Sequence, residues 1–354
     1  MNFEFTEEQK LFAETVRKFA LAELEAGALE RAHNPRFPFD VAQCMSRQGL
    51  FGITLPEVDG GQGGALMDAV IAIEQVAQVC PRSADVVQSG SFGPIRTFAE
   101  YASPSLKGRY LPDLLAGRTV MSLGMSEPDA GSAVTDLKTA AKPEGTRYII
   151  NGSKVFSTFS PDAAVFLIYA RFGPGIGGIG SVVVTRDTPG FRVGRPSSFM
   201  SGEEWCELHF EDCHIPADHV LLGPGGFKKQ IAGFNVERIG NAARSLAFGR
   251  YAFNKARDHV ATRVQFGRPL CEFQGLQWKF ADMALKLEGA QLFFTALRPM
   301  RIAAFRQPTK PLLQRLPATS PGSKSRMKLC KPWGRPAIAA TRWWNTACAA
   351  AAAG

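Results

Sequence analysis

The chain has 354 residues, of which 45% are hydrophobic and 21% are charged, a composition that predicts a globular protein of two or three domains. Its formal net charge of +9 suggests a nucleic acid or an anionic membrane as partner, but 11 of the 41 Lys and Arg, and no Asp or Glu, lie at positions 297–354. The other 30 basic residues are matched by 32 acidic residues in positions 1–296, so neither partner is expected.

No apolar run is long enough to span a membrane, and the N-terminus resembles neither a secretion signal nor a transit segment. The seven cysteines are an odd number at irregular spacing, which does not predict a disulfide framework. We therefore expect a cytoplasmic protein with reduced cysteines.

Residues 1–117 are predicted to form a helical domain. Thr6 and Gln9 form a capping-box pattern, and apolar residues then recur every fourth position from Phe12 to Leu24. Three further helices are predicted: residues 39–49, a segment carrying Val70, Ile73 and Val76, and residues 105–115.

The pattern changes at residues 118–222 to β-branched, alternating segments separated by Gly, Pro, Asp and Asn. Because no helix long enough to connect parallel strands lies between these segments, we expect an antiparallel β domain. The predicted strands are residues 119–124, 147–156, 163–172, 181–185 and 205–211.

Helical periodicity returns at residues 223–297, as two long helices at about 227–262 and 272–297. The fold class is therefore α+β, with a helical domain, a β domain and a partial helical bundle in chain order. Residues 298–354 differ in composition from the rest, and we expect them to be a disordered basic tail.

The segment 173–178 matches the dinucleotide-binding pattern G-x-G-x-x-G and follows a predicted strand. That pattern requires a helix directly after it, whose N-terminus binds the pyrophosphate, whereas residues 181–184 continue as a strand. We interpret the segment as a hairpin loop.

Four potential metal ligands, Cys206, His209, Cys213 and His214, lie close together in the sequence. Cys206 and His209 are three positions apart in a predicted strand, so they point to opposite faces, and Cys213 and His214 are placed in the turn before Pro216. No metal is expected. No Ser, His and Asp arrangement is recognisable either, which excludes a hydrolase.

Two other segments suggest a binding or catalytic site. Residues 124–132 follow a strand with small and hydroxyl side chains, which is typical either of backbone N–H groups facing a polar ring or phosphate, or of a plain surface turn. Glu237 lies in a long apolar helix, where a carboxylate is either solvated, ion-paired or a catalytic base.

Together, these segments resemble the acyl-CoA dehydrogenase family of flavoproteins over about residues 5–297. The stretch G-M-S-E-P-D-A-G-S at 124–132 is similar to one family signature, and N-G-S-K-V-F-S-T at 151–158 resembles another. R-V-Q-F-G-R-P-L at 263–270, followed by F-Q and K-F-A-D-M, resembles the R-x-x-F-G…F-Q…K-x-A-D-M helix pair.

The resemblance implies FAD bound between the β domain and the C-terminal bundle. Met125 and Ser126 would contact the isoalloxazine, and Phe156 would pack on it. Ser157 and Thr158 would also belong to the FAD site, with the Thr158 hydroxyl near N5. By the same resemblance, Arg263, Phe266 and Gln274 would bind the FAD pyrophosphate of a neighbouring subunit. This implies a homodimer or homotetramer.

The resemblance also implies an acyl-CoA substrate at Ser132, Asn235 and Arg238, oxidised to a trans-2-enoyl-CoA, with an electron-transfer flavoprotein as electron acceptor. Most of the family take their catalytic base from a C-terminal E-G-T segment, which is not found in this sequence. The isovaleryl- and long-chain-type branches take it from a helix carrying E-R, where Glu237 stands, so Glu237 is the expected base. Enoyl-CoA reductases, desulfinases and monooxygenases of the same fold, and a non-catalytic relative, are alternatives.

The tail does not resemble the family. When the reading frame is shifted to start at the third base of each codon, some shifted codons have only one possible translation. The codon across Met327 and Lys328 gives Glu, and the codon across Trp343 and Trp344 gives Val. Permitted codons elsewhere produce a segment similar to the family's Q-x-x-G-G-x-G-Y stretch. Our hypothesis is that a frame change near residue 300 replaced the last two bundle helices, which the gene sequence can test.

Overall fold

The computed structural model describes residues 5–199 and 202–304. The chain forms two compact units, Thr6–Asn241 and a second unit that begins at Ala242. The expectation of disorder was wrong for residues 298–304, which continue the last described helix. The rest of the predicted tail, from position 305 on, lies outside the described residues, so its disorder and the frame hypothesis stay predictions.

Helices occupy the first part of the chain. The predicted capping box is present, because the Thr6 hydroxyl accepts from the Gln9 N–H and the Gln9 side chain accepts from the Thr6 N–H, each at 3.2 Å. The sequence analysis missed α2, α5 and α6; Pro81 and Pro94 begin α5 and α6, since the first helical N–H needs no partner. The helices are α1 (Glu7–Glu23), α2 (Ala28–His33), α3 (Phe39–Arg47), α4 (Leu66–Ala77), α5 (Pro81–Ser91), α6 (Pro94–Tyr101) and α7 (Pro104–Leu115).

The apolar stripes of these helices form the core of the helical part. Val16 and Ala20 of α1 are buried, as are Val70, Ile73 and Val76 of α4. Helix α4 packs against both α1 and α5, and α6 contacts two of the strands that follow.

A nine-stranded sheet follows the helices, in the order β6-β8-β3-β2-β4-β5-β9, with β1 paired to β4 and β7 to β8. Its strands are β1 (Met121–Gly124), β2 (Ala140–Glu144), β3 (Arg147–Thr158), β4 (Val165–Arg171), β5 (Ile179–Thr185), β6 (Phe191–Val193), β7 (Ser197–Ser198), β8 (Glu204–Pro216) and β9 (Val220–Leu222).

The sheet is antiparallel except for two parallel pairings. Strand β1 runs parallel to β4 over four residue pairs, and β2 adds one parallel pair, Ala140 with Arg171. The expectation of purely antiparallel pairing was wrong here, because the β2–β3 hairpin makes the crossover between β1 and β4 and no helix is needed.

The glycine-rich segment 173–178 connects β4 and β5, which pair in antiparallel fashion, through a short 3-10 turn at Ile176–Gly178. The interpretation as a hairpin loop is confirmed. Cys206 and His209 lie in β8 as expected, but Cys213 and His214 lie in the same strand, opposite Ile150 and Ile149, and not in a turn. The described residues contain no group of three or more His, Cys, Asp or Glu that could hold a metal ion.

Two long helices complete the described chain, α8 (Phe227–Thr262) and α9 (Gln274–Ala304), joined by a small hairpin of β10 (Val264–Gln265) and β11 (Arg268–Pro269). Within the second unit, α8 and α9 pack together through the rings of Phe253 and Phe280. Nowhere in the described part of the chain is a helix both long and apolar enough to cross a membrane.

Candidate functional site

A buried ion pair joins the segment after β1 to strand β3. The Lys154 ammonium donates to a Glu127 carboxylate oxygen at 2.8 Å and to the Met125 carbonyl at 3.3 Å, and the Lys154 side chain is 0% exposed. Glu127 also accepts from the backbone N–H groups of Lys138 and Thr139, at 2.6 and 2.9 Å. The pair therefore connects three separate stretches of backbone around Met125.

These contacts shift both pKa values. Burial lowers the pKa of Lys154 from 10.5 to about 8, although Glu127 works in the opposite direction. Burial raises the pKa of Glu127, but the Lys154 charge and hydrogen bonds from Lys154, Thr139 and Lys138 outweigh it, so the net shift is downward. The charged form of Glu127 is stabilised more than that of Lys154, because the carboxylate also accepts two backbone N–H hydrogen bonds.

The ion pair brings Met125 and Ser126 beside the second predicted cofactor segment. The Ser126 carbonyl accepts from the Val155 N–H at 2.9 Å, and both Met125 and Ser126 are half-buried. The sequence analysis identified both segments but missed Lys154 and Glu127, although a Lys inside a predicted strand was a detectable signal of an internal ion pair.

Phe156 has an unusual backbone. Its φ is +58°, and the pairing of β3 with β8 shifts register between Lys154 and Ser157, so Phe156 sits in a β-bulge. The side chain is 56% exposed and lies against Trp205 and Phe199, with ring centroids 4.6 and 6.4 Å away. A left-handed aromatic residue is costly and typical of functional sites.

Ser157 and Thr158 follow the bulge but have different surroundings. The Ser157 hydroxyl is buried, donates to the Leu123 carbonyl at 2.7 Å and lies 3.0 Å from the Ser122 hydroxyl. Ser122 in turn donates to the Thr158 carbonyl at 2.7 Å, whereas the Thr158 side chain is half-buried. The Ser157 side chain thus fixes β1 to β3.

A flat conjugated ring with polar edges fits this arrangement. The three rings of the aromatic cluster, Phe156, Phe199 and Trp205, provide an accessible apolar surface. The partly accessible Ser126, bonded to the backbone of Val155, and Thr158, two residues after Phe156, provide hydroxyls. These are the contacts that an isoalloxazine requires.

Glu237 lines a small cleft in the first unit. Helix α8 contributes Phe234 and Gly233 one turn away, and β1 contributes Leu123, two residues before Met125. Further walls come from the start of α6 and from β4, and the lining residues are Phe92, Gly93, Pro94, Thr97, Leu123, Leu167, Tyr169, Gln230, Gly233, Phe234 and Glu237. The only charged side chain of this lining is Glu237.

The expected substrate residues lie at exposed positions. Arg238 donates to the Asn235 side-chain carbonyl at 2.5 Å, and its guanidinium lies 4.9 Å from the centre of the Phe234 ring. Ser132 is exposed in the segment after β1. Asn235 and Arg238 therefore form one exposed polar pair next to Phe234.

The residues expected to bind pyrophosphate belong to the second unit. Arg263 follows α8, Gln274 begins α9, and the side chains of both are exposed. Between them, Phe266 and Gly267 have φ values of +53° and +76°, as a two-residue hairpin turn requires, and Phe266 is 94% exposed. An exposed Arg side chain and the N–H groups at the N-terminus of a helix are both suited to bind an anion.

Family models match most of the chain. The acyl-CoA dehydrogenase N-terminal domain matches residues 6–118, the middle domain matches 122–213, and the C-terminal domain matches 224–301.

Several curated proteins are similar over 82% of this chain. The acryloyl-CoA reductase (NADH) of Anaerotignum propionicum is 35% identical over 75% of its own length. The 3-sulfinopropanoyl-CoA desulfinase of Paraburkholderia xenovorans is 32% identical over 76%, and the short-chain-specific acyl-CoA dehydrogenase of Clostridium acetobutylicum is 33% identical over 78%.

Solved structures agree. A probable acyl-CoA dehydrogenase from Mycobacterium abscessus has a TM-score of 0.78 and 32% identity, covering 84% of this chain and 81% of its own. A chain of the electron transferring flavoprotein structure of Acidaminococcus fermentans has a TM-score of 0.76 and 30% identity, over 84% and 80%. The FAD complex of PigA has a TM-score of 0.76 and 25% identity, over 84% and 79%. This protein therefore belongs to the acyl-CoA dehydrogenase family of oxidoreductases.

Proposed function

We propose that the protein is an FAD-dependent dehydrogenase that converts an acyl-CoA thioester to the trans-2-enoyl-CoA, with Glu237 as the base. The observation that carries this proposal is the position of the Glu237 carboxylate, which lines a largely apolar cleft that also includes Leu123, two residues before Met125. Family membership supports FAD, and the aromatic cluster beside Ser126 and Thr158 suits its ring.

The proton on the α-carbon of a thioester is weakly acidic, so its removal needs a carboxylate whose basicity is raised by a poorly hydrated setting. The rings of Phe92 and Phe234 and the side chains of Leu123 and Leu167 surround Glu237 in the cleft. These walls hold an acyl chain by apolar contact and reduce the hydration of the carboxylate, whose residue is partly buried. The proton leaves the α-carbon and is retained on Glu237.

When bound, FAD supplies the acceptor for the hydride that leaves the β-carbon. Met125 and Ser126, held by the Lys154–Glu127 pair, and Phe156 in the bulge would hold the flat ring. Ser157 contributes by fixing β1 to β3, while the half-buried Thr158 would offer its hydroxyl to a polar group of the ring. Ser132, Asn235 and Arg238 bind the polar CoA part of the substrate outside the cleft.

Two partners belong to this proposal. Arg263, Phe266 and Gln274 complete the FAD site of a neighbouring copy, so that the working enzyme is a homodimer or homotetramer. An electron-transfer flavoprotein removes the electrons, which is supported by the similarity to a chain in the Acidaminococcus fermentans flavoprotein structure.

Anaerobic titration with acyl-CoA thioesters tests the proposed chemistry. We expect the wild-type flavin to lose its visible absorbance, and Glu237→Gln to keep bound FAD but bleach at least about a hundredfold more slowly, as general-base removal typically costs about 10²–10⁴. Glu8→Gln, an exposed change in α1, is the matched control and should behave as wild type. Normal bleaching in Glu237→Gln would remove that residue from its role.

Reduction of an enoyl-CoA is a second candidate, favoured by the 35% identity to an NADH-dependent acryloyl-CoA reductase. Glu237 would then deliver a proton to the α-carbon instead of removing it. Turnover of a 2-enoyl-CoA with NADH, without bleaching by the saturated thioester, would favour this direction. Bleaching by the saturated thioester, without NADH oxidation, would favour the dehydrogenase.

A further inference from the structure

The lining of the Glu237 cleft is partly polar. Alongside its apolar walls, the cleft is lined by the side chains of Thr97, Tyr169 and Gln230, which are 7%, 1% and 2% exposed. A hydrocarbon chain makes no use of buried hydroxyl and amide groups, and burying such groups without a partner is costly. Their position therefore requires an explanation.

The Thr97 hydroxyl makes no hydrogen bond with any described residue. Threonine in a helix commonly bonds the carbonyl one turn earlier, yet Thr97 of α6 does not. A Cβ added to Gly233 of α8 would lie 2.8 Å from the Thr97 hydroxyl oxygen. Glycine at position 233 thus leaves room at the wall of the cleft for the hydroxyl of Thr97, a residue that is 7% exposed.

Gln230 and Tyr169 are arranged mainly as donors. The Gln230 carbonyl accepts from the Ser181 hydroxyl at 2.7 Å, which directs the amide nitrogen to the other side, toward the Tyr169 phenol. Burial raises the pKa of Tyr169 and the Glu237 charge raises it further, against the hydrogen bond from Gln230 and the charge of the exposed Arg238, which is not part of the cleft lining. Tyr169 therefore keeps its proton and has an O–H to donate.

The charge of the lining decides which polar group fits. Of the residues that line the cleft, Glu237 carries the only charge, and none is Lys or Arg. A carboxylate or sulfinate on the acyl chain would meet a negative charge with no cation in this lining to compensate it, whereas a neutral oxygen would meet only donors and a hydroxyl.

We infer that the substrate is an acyl-CoA whose acyl chain carries a neutral oxygen, a hydroxyl or a carbonyl, which binds to Thr97 with Tyr169 and Gln230. This inference rests on the proposed function, since it assumes that the thioester binds with its α-carbon at Glu237. Thr97 lies against Gly233, one helical turn or about 6 Å along α8 from Glu237, a span of roughly four or five carbon–carbon bonds.

A pair of thioesters of equal shape tests the inference. We would measure calorimetrically the dissociation constants of 5-hydroxypentanoyl-CoA and hexanoyl-CoA with the FAD-loaded protein, since the two differ only by a terminal hydroxyl in place of a methyl group. The hydroxy compound should bind about tenfold more tightly, equivalent to one or two net hydrogen bonds. The same order should hold for their rates of flavin bleaching.

Two variants of Thr97 distinguish a role of its hydroxyl in binding from a role of its side chain in the fold. Thr97→Val keeps the shape and should abolish or reverse the tenfold preference, whereas Thr97→Ser keeps a hydroxyl and should retain most of it. Hexanoyl-CoA binding as well as the hydroxy compound in wild type, or a preference that survives in Thr97→Val, overturns the inference and leaves the dehydrogenase proposal intact. Failure of both thioesters to bind overturns the two together.

Discussion

The ammonium of Lys154 and the carboxylate of Glu127 lie 2.8 Å apart in the interior of the sheet, between the two segments that carry the expected flavin contacts. Lys154 reaches the Met125 carbonyl as well, so one side chain fixes to strand β3 the start of the turn that is expected to bind the flavin. This connection makes the geometry of the turn depend on a single buried charge.

Replacing Lys154 should release that turn. Lys154→Met leaves Glu127 buried without its cation, so we expect the free energy of unfolding to fall by about 3 kcal/mol and FAD affinity to fall at least tenfold. Urea unfolding and flavin titration measure the two effects. Lys142→Met, at an exposed position of neighbouring β2, should change neither, and FAD affinity unchanged in Lys154→Met would contradict a positioning role.

The same residue predicts a pH dependence. Because the pKa of Lys154 is lowered to about 8, its ammonium is lost as the pH rises through 8, and FAD affinity should weaken in that range. The stability effect of this group has the opposite sign: between pH 8 and 10.5 the unfolded chain binds the extra proton, so unfolding becomes less favourable as pH rises. Flavin titration across pH 7–10 should show the loss in wild type and none in Lys154→Met.

Phe156 should show a trade-off between backbone strain and flavin binding. Phe156→Gly relieves a left-handed conformation worth about 1–2 kcal/mol, but loses ring contacts and adds glycine entropy worth about 1–2 kcal/mol together. We therefore expect the free energy of unfolding to change by less than about 1 kcal/mol, while FAD affinity falls at least tenfold. Asp212→Gly, at another exposed position of positive φ, should leave FAD affinity unchanged. A large loss of stability in Phe156→Gly would mean that the bulge serves the fold.

Mixing two inactive variants should reveal whether Arg263 serves a neighbouring copy. If it does, a mixed dimer of Arg263→Ala and Glu237→Gln chains has one intact site, with Glu237 from the first chain and Arg263 from the second, and should regain about half of the wild-type activity. Differently tagged chains, co-expressed and purified through both tags, allow this measurement, with each homodimer as its own control. An inactive mixed dimer would place Arg263 in the FAD site of its own chain.

Much of the local structure was predictable because it depends on neighbours in the sequence. The capping box at Thr6 needs only residues three apart, and the bounds of α8 follow from helical periodicity that starts after a glycine-rich turn. The hairpin after β4 was predictable for the same reason, since a strand follows the glycines. Short helices such as α6, with few turns to establish a period, were missed.

The sequence by itself determined the family, the order of helical and β parts, and the position of Glu237 in a long helix, because motifs and periodicities are properties of contiguous residues. Only the tertiary structure decided that β1 runs parallel to β4, that Lys154 pairs with Glu127 across 27 positions, and that Phe156 sits in a bulge. It also placed Thr97, Tyr169 and Gln230 around one cleft with Glu237. Burial and hydrogen bonding between distant segments set these relationships, and no local pattern encodes which distant partner a buried polar group will meet.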